Sequence, residues 1–361
     1  MNREKLGKYC KLRNGYAFKS KDFVESGIPI VRIGEISDGS INLKTAARIE
    51  EKESYDKYLI DKGAILIAMS GATTGKIGRF LHQVKAYQNQ RVGSFIPDER
   101  KLSKEYLYFY LKTIGNLILQ KAYGGGQPNI SPREIESIRI PIPEKYEDQI
   151  RIATFLSRAE ELIAKRKESI RLLDELLKST FLEIFGDPVR NDKGWDEEPL
   201  SKFGTLNRGV SKHRPRNAPE LLGGPYPLIQ TGDVASAGLY IRSYNQTYSE
   251  IGLKQSKLWP KRTLCITIAA NIAKTAILDF DACFPDSVVG FTPFPEESHP
   301  IYVHYLFKFF QRILEKNAPQ AAQKNINLQI LRNLPVPKPH IREQDPFVKL
   351  VEKVDSLKTK Y

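Results

Sequence analysis

At 361 residues, 41% of them hydrophobic and 27% charged, the chain has enough apolar material for more than one folded core and too much for a disordered one. No run of about 18 apolar residues occurs, and the start Met1-Asn2-Arg3-Glu4-Lys5 carries no apolar leader, so membrane insertion and export are not expected and a cytoplasmic location is. The formal charge of +14 is shared, 32 basic against 24 acidic residues up to Gly186 and 24 against 18 beyond it, the electrostatic footprint of a polyanion partner in each half.

In chain order, short β-rich runs at Ile28 to Ile33, Ala64 to Ala68, Arg91 to Ile96 and Ile138 to Ile142 are separated by Gly, Pro, Asn and Asp turn chemistry. Ser103 to Lys121 has apolar residues at helical spacing and is expected to be one helix. Ser131-Pro132-Arg133-Glu134 has the signature of a capping box with proline in the first turn. The prolines of Ile140-Pro141-Ile142-Pro143 then forbid helix and favour an extended exit. Three cysteines, Cys10, Cys265 and Cys283, lack CxxC spacing, so neither a disulfide nor a zinc site is expected.

From Asp148 to Phe185 there is neither Pro nor Gly, and Ile152, Leu156, Ala159, Ile163, Ile170, Leu173, Leu177 and Ile184 recur at three-four spacing, interrupted by Arg166 and Thr180. A helix of about 38 residues would be roughly 57 Å long. Gly186-Asp187-Pro188 stops it.

The chain then repeats itself. Ile28-Pro29-Ile30-Val31-Arg32-Ile33-Gly34-Glu35-Ile36 returns as Tyr226-Pro227-Leu228-Ile229-Gln230-Thr231-Gly232-Asp233-Val234. Gly75-Lys76-Ile77 returns as Ala273-Lys274-Thr275, Val92-Gly93 as Val289-Gly290, Asn129-Ile130 as Asn325-Ile326, and Glu147-Asp148-Gln149 as Arg342-Glu343-Gln344. A period of this length is that of a duplicated domain, not of a solenoid. Pro300 to Lys316 answers the first helix, Leu334-Pro335-Val336-Pro337 the extended exit, and Gln344, Phe347, Val351 and Val354 begin a second, shorter copy of the long helix. The expectation is α+β: globular domains at 1–147 and 187–340, each followed by a helix, at 148–186 and 341–361. The helices are expected to pair as an antiparallel coiled coil through Ile152, Leu156, Ile163, Ile170, Leu173 and Leu177 on one side and Phe347, Val351 and Val354 on the other.

Asn14-Gly15-Tyr16-Ala17-Phe18-Lys19-Ser20, Gly27 to Ile36, Ala68-Met69-Ser70-Gly71-Ala72-Thr73-Thr74-Gly75-Lys76-Ile77-Gly78, Gln127-Pro128-Asn129-Ile130-Ser131, Ile140-Pro141-Ile142-Pro143 and the Gln149-Ile152-Ala153-Leu156 helix, in this order and duplicated, resemble type I restriction-modification specificity subunits. The resemblance covers nearly the whole chain. It implies two target recognition domains, each reading half of a split double-stranded DNA site. It implies helices that set the gap and hold methyltransferase subunits, two of them, with restriction subunits joining through the complex. It implies no catalysis and no cofactor. The sequence departs from the pattern where Ile272-Ala273-Lys274-Thr275-Ala276 replaces the glycine-rich segment, where Ala321-Ala322-Gln323-Lys324 replaces Gly125-Gly126-Gln127-Pro128, and in the short terminal helix.

The motifs admit two readings each. Ser70 to Ile77 has the vocabulary of a phosphate loop but three residues between Gly71 and Gly75 and Ile77 after Lys76, which is not P-loop spacing. It reads as a β-hairpin with glycines at positive φ, whose Ser70, Thr73, Thr74 and Lys76 could also lie along a DNA backbone. Asn129 reads as a backbone tie beside the Ser131 cap, whereas Gln127 and Tyr123 read as contacts. Gln88-Asn89-Gln90-Arg91 and the Tyr16 to Lys21 loop offer amides and cations, and Lys212-His213-Arg214-Pro215-Arg216 offers a basic run held extended by Pro215. The candidate DNA contacts are therefore Lys19, Lys21, Arg32, Ser70, Thr73, Thr74, Lys76, Gln90, Arg91, Tyr123 and Gln127 in the first half. In the second they are Lys212, His213, Arg214, Arg216, Gln230, Asn271, Lys274, Lys324 and Asn325. The five histidines show no metal spacing, and neither HExxH, GxSxG nor a methyltransferase tetrad occurs. A nucleic-acid enzyme with an unfamiliar site and a non-DNA scaffold are the alternatives.

Overall fold

Val92–Pro97 and Ile65–Ala68 are apolar nearly throughout, which suits strands covered on both faces, and they become the centre of the main sheet of the first half. The computed structural model describes residues 2–122, 126–317 and 326–360, in two compact units, Met1–Lys165 and Arg166–Tyr361. In the first unit the main sheet runs Cys10–Asn14, Val92–Pro97, Ile65–Ala68, Ile77–Arg79, Gly39–Ile41, Ile36–Ser37. A smaller sheet joins Tyr87–Gln88, Ile28–Val31, Arg48–Ile49 and Phe23–Val24. The proline-punctuated Arg139–Ile142 is a strand antiparallel to Asn2–Lys5.

The second unit repeats five strands of the main sheet and three of the smaller one, without a strand to match Ile36–Ser37 and with a different edge strand, Leu258–Trp259 in place of Phe23–Val24. Gly204–Arg208, Val288–Pro293, Leu264–Thr267, Thr275–Leu278 and Tyr240–Ile241 make its main sheet, and Gln246–Tyr248, Leu222–Leu228, Ala282–Cys283 and Leu258–Trp259 the smaller one. Glu197–Pro199 pairs with Pro335–Pro337. Helix and sheet content is α+β in both units.

One expectation is corrected. The helix foreseen over 103–121 is two helices, Lys104–Thr113 and Gly115–Ala122, whereas its counterpart Pro300–Asn317 is unbroken. The reason is a glycine contact: a Cβ at Gly75 would stand 2.5 Å from the carbonyl oxygen of Gly115, so the turn and the helix break are fitted to each other. Gln311 occupies the position matching Gly115, and the helix continues.

The long helix runs Tyr146–Phe185 and the terminal one Ile341–Thr359. Each is fastened by a buried glutamine. Gln149 accepts from the Ser103 N–H (2.8 Å) and donates to Lys101 O (3.0 Å). Gln344 accepts from the His299 N–H (3.0 Å) and donates to Glu297 O and Pro339 O (both 3.1 Å). Tyr106 and Tyr302 donate to the carbonyls of Pro141 and Pro337 at 2.7 and 2.9 Å. These duplicated bonds satisfy backbone groups that loops would otherwise bury unpaired.

The apolar positions of the long helix divide at the unit boundary. Leu177, Phe181 and Phe185 lie in one core with Phe347, Val351 and Val354, and Leu173 packs against it. Phe181 stacks on Tyr302, Tyr305 and Phe309 and meets Phe347 edge-on. Arg166, an interruption of the apolar seam, donates to the carbonyls of Leu357 and Lys358 (3.1 Å each) at the end of the terminal helix, where a cation complements the helix dipole. Lys358 pairs with Asp174. Ile152 and Ile170 are half-buried. Leu156 and Ile163, expected in the coiled-coil seam, are exposed, with Phe155 (74%) and Leu162 (68%) beside them. No helix among the described residues is long and apolar enough to cross a membrane.

Candidate nucleic-acid interface

In the first unit the Ser70-to-Lys76 segment links the antiparallel strands Ile65–Ala68 and Ile77–Arg79. Gly71 and Gly75 have φ of +76° and +86°, conformations in which a side chain is strained. Backbone bonds then gather segments remote in sequence. The N–H of Gly71 donates to Pro128 O (2.9 Å), that of Ile130 to Met69 O (2.9 Å) and that of Met69 to Arg91 O (3.0 Å). Tyr16 donates to Gln88 O and accepts from the Gln90 N–H, both at 2.9 Å. Thr73 Oγ1 donates to Ile33 O at 3.1 Å, joining the turn that follows Arg32. On these segments Gln90, Arg91, Lys76 and Gln127 are all exposed, and Thr73 and Arg32 are half-buried. Lys19 and Lys21 are exposed on the adjoining loop, beneath which Tyr16, Phe18, Tyr55, Tyr58 and Tyr87 form a ring cluster.

Ser70 and Thr74 differ from these exposed groups. Both are buried, and Thr74 Oγ1 donates to Gly71 O at 2.7 Å, so it holds the turn. Of the amides in Gln88-Asn89-Gln90, Gln88 is fully buried and donates to Arg13 O (2.7 Å) and Val92 O (2.8 Å). Asn129 bridges to Ser70 through backbone, and the Ser131–Glu134 capping box forms. Arg32 is tied to Glu35 through its N–H (2.9 Å) and guanidinium (3.0 Å). Tyr123 lies outside the described residues.

In the second unit the basic run is bent at 213–215, not extended. Arg214 and Arg216 both face Asp286, at 3.7 and 2.5 Å, so one carboxylate offsets two cations. Lys212 is exposed, and His213 is half-buried with Nδ1 3.2 Å from Pro215 O. Asn271 and Lys274 are exposed on the turn matching that of Lys76. Lys324 and Asn325 lie outside the described residues. Gln230 lines a cleft of about 590 Å³ together with Ser211, Arg216, Asn217, Asp233, Asn245 and Gln246. Asp233 accepts from the Gln230 N–H (2.8 Å) and from Asn245 Nδ2 (3.0 Å), and Gln230 Nε2 donates to Gln246 Oε1 (3.2 Å). Sequence reasoning missed Asp233, Asn245 and Gln246. The repeat of Gly34-Glu35 as Gly232-Asp233 marked the first of them, but nothing in the pattern brings 245–246 beside it.

The polar groups with the largest shifts are structural. Burial pushes the His304 imidazole down to about 3, with Lys308 adding to it, and Thr275 Oγ1 lies 2.9 Å from its Nδ1. Burial and then Arg262 push His299 down to about 4, and its Nδ1 accepts from the Ile301 N–H (3.2 Å). The three cysteines are buried, and burial pushes the Cys10 thiol up to about 12. Among the described residues no three His, Cys, Asp or Glu side chains gather as metal ligands.

Two units of one design, each presenting amides and cations on loops over a rigid sheet, define a duplicated recognition scaffold. The model of the type I restriction modification DNA specificity domain matches residues 2–172 and 193–360, and the chain belongs to that family. It is 23% identical over 375 residues to the type I restriction enzyme EcoBI specificity subunit of Escherichia coli, covering 96% of this chain and 77% of that one. It is 21% identical over 374 residues to the type I restriction enzyme MjaVIII specificity subunit of Methanocaldococcus jannaschii, covering 91% and 86%. Its fold is similar to that of a type I restriction-modification S subunit from M. genitalium, with a TM-score of 0.68 and 16% identity over 100% of this chain and 90% of that one.

Proposed function

We infer that the chain is the specificity subunit of a type I restriction-modification complex, a non-catalytic component that binds a bipartite double-stranded DNA site. The observation that carries this is the double occurrence of one five-strand order in the main sheets and one glutamine fastening within a chain of this family. Residues 1–147 and 187–340 act as target recognition domains, and 148–186 and 341–361 as the spacer between half-sites. The antiparallel coiled coil is favoured by the shared core of Leu177 and Phe181 with Phe347 and Val351 and by the Arg166 bonds to the helix end. Exposed Phe155, Leu162 and Ile163 are suited to methyltransferase subunits, two in the assembly, through which restriction subunits join, in the cytoplasm. Exposed Lys19, Lys21, Lys76, Gln90, Arg91 and Gln127, and Lys212, Asn271 and Lys274, lie along phosphates or base edges. The test is to copurify the chain with its methyltransferase subunits and map modified positions in host DNA. Two specified segments with an unread gap are expected, and exchanging residues 1–147 for another such domain should alter one segment alone. A contiguous motif, or binding indifferent to sequence and salt, overturns the reading.

A further inference from the structure

We propose that the cleft around Gln230 and Gln246 seats the major-groove edge of an adenine in the half-site read by the second unit, and that Arg32, at the matching position of the first unit, reads a guanine. The inference rests on the chain being a reader of duplex DNA and names what two of its positions read.

Gln230 and Gln246 are joined by one amide–amide bond. Whichever of the two donates, one carboxamide oxygen and one carboxamide nitrogen of the pair keep bonding capacity. An acceptor next to a donor is the complement of adenine, which offers N7 as acceptor and the N6 amino group as donor in the major groove. The pair is held in advance: Asp233 fixes the backbone of Gln230 and the side chain of Asn245, so little ordering remains to be done on binding. The cleft also contains an unanswered polar group. Ser211 is 6% exposed, lines the cleft, and its Oγ has no hydrogen-bond partner among the described residues, a state native interiors avoid unless a ligand or water completes it. Arg216 at the same cleft shares Asp286 with Arg214, so that one carboxylate does not fully offset the pair and a guanidinium is at hand for a flanking phosphate, while Asp233 is engaged by the Gln230 N–H and Asn245.

The first unit has the same local frame with different chemistry. Glu35 accepts from the Arg32 N–H as Asp233 accepts from that of Gln230, and each residue opens a short helical turn. At this position stands a guanidinium whose fork suits the O6 and N7 acceptors of guanine, held by Glu35 Oε1 and by the Phe23 ring at 6.0 Å.

The experiment uses the chain assembled with its methyltransferase subunits and the two-part motif found by mapping modified DNA. In the wild-type complex, 7-deazaadenine is placed at each adenine of the second half-site in turn; one position should lose roughly tenfold to a hundredfold in affinity, because N7 is gone. Gln230→Ala with Gln246→Ala should relax that same position and leave the first half-site intact, and Arg32→Gln should relax a guanine position in the first. A second half-site without adenine, a scan in which no position responds, or variants with unchanged motifs overturn this inference alone. A wild-type complex with no two-part motif overturns the reading of the chain as a DNA reader and this inference with it. The deaza scan decides the matter even if a variant fails to fold.

Discussion

At one corner of the first unit the chain turns on Gly75 at φ +86°, and at the matching corner of the second on Ala273 at φ +58°. Gly75 abuts the backbone of Gly115, where the neighbouring helix breaks; Ala273 sits beneath an unbroken Pro300–Asn317 and is buried in the core. The left-handed turn is therefore kept while the residues that make it change. The five-strand core of the main sheet and the glutamine fastenings are likewise kept, whereas Arg32 becomes Gln230 and the loop amides are redistributed. Duplication has held the scaffold and released the exposed positions, as different half-sites require.

The comparison is put under most strain along the long helix. Phe181→Ala should cost about 3–5 kcal/mol, because its ring packs on five aromatic neighbours. Phe155→Ala, at an exposed site, should stay within about 0.5 kcal/mol and instead weaken copurification with methyltransferase subunits; denaturant melts and pull-downs check both. Equal destabilisation by the two would remove the distinction between the halves of the helix.

The glutamines come next. Gln344→Ala leaves one N–H and two carbonyls without their partner, Gln149→Ala one of each. At about 1–3 kcal/mol for a buried group left unpaired, with carbonyls retaining some alternatives, about 2–4 kcal/mol is expected for the former and about 1–3 for the latter. A larger loss at Gln149 would mean that the two fastenings differ in role.

Smaller effects are expected at the turns. Gly75→Ala should cost about 2 kcal/mol or more, since an unfavourable φ adds to a backbone overlap. Ala273→Gly should fall within about 0.5 kcal/mol of zero, the relief of about 1 kcal/mol being offset by the loss of a buried methyl worth about 0.8 kcal/mol. Calorimetric melting of the two variants tests this.

Acid sharpens the contrast with least effect near neutrality. His299 and His304 are held neutral in the second unit, with folded values near 4 and 3 against an ordinary 6.5. Below 6.5 the unfolded chain takes up protons that the folded one refuses. Stability is thus lost as pH falls from 6.5 toward 4 and is unaffected by these groups above 6.5. Hydrogen exchange as a function of pH should show the second unit loosening first, and His304→Gln should flatten the fall. Equal acid sensitivity of the two units would set this aside.

The amino-acid pattern alone disclosed the duplication, the Tyr146–Phe185 helix within two residues of its start, the proline-bound exit strands and the capping box at Ser131, because these depend on spacing and local turn chemistry carried by neighbouring residues. It could not separate Ser70, Thr74 and Gln88, which are buried, the last two holding the turns, from Thr73, Lys76 and Gln90, which stand on or near the surface. Nor could it join Gln230 to Gln246, or show that Leu177 is enclosed while Leu156 and Ile163 of the same seam are open. Each of those outcomes depends on what a distant segment lays against the side chain. Burial and hydrogen bonding are properties of the packed surface, and sequence neighbours do not decide them.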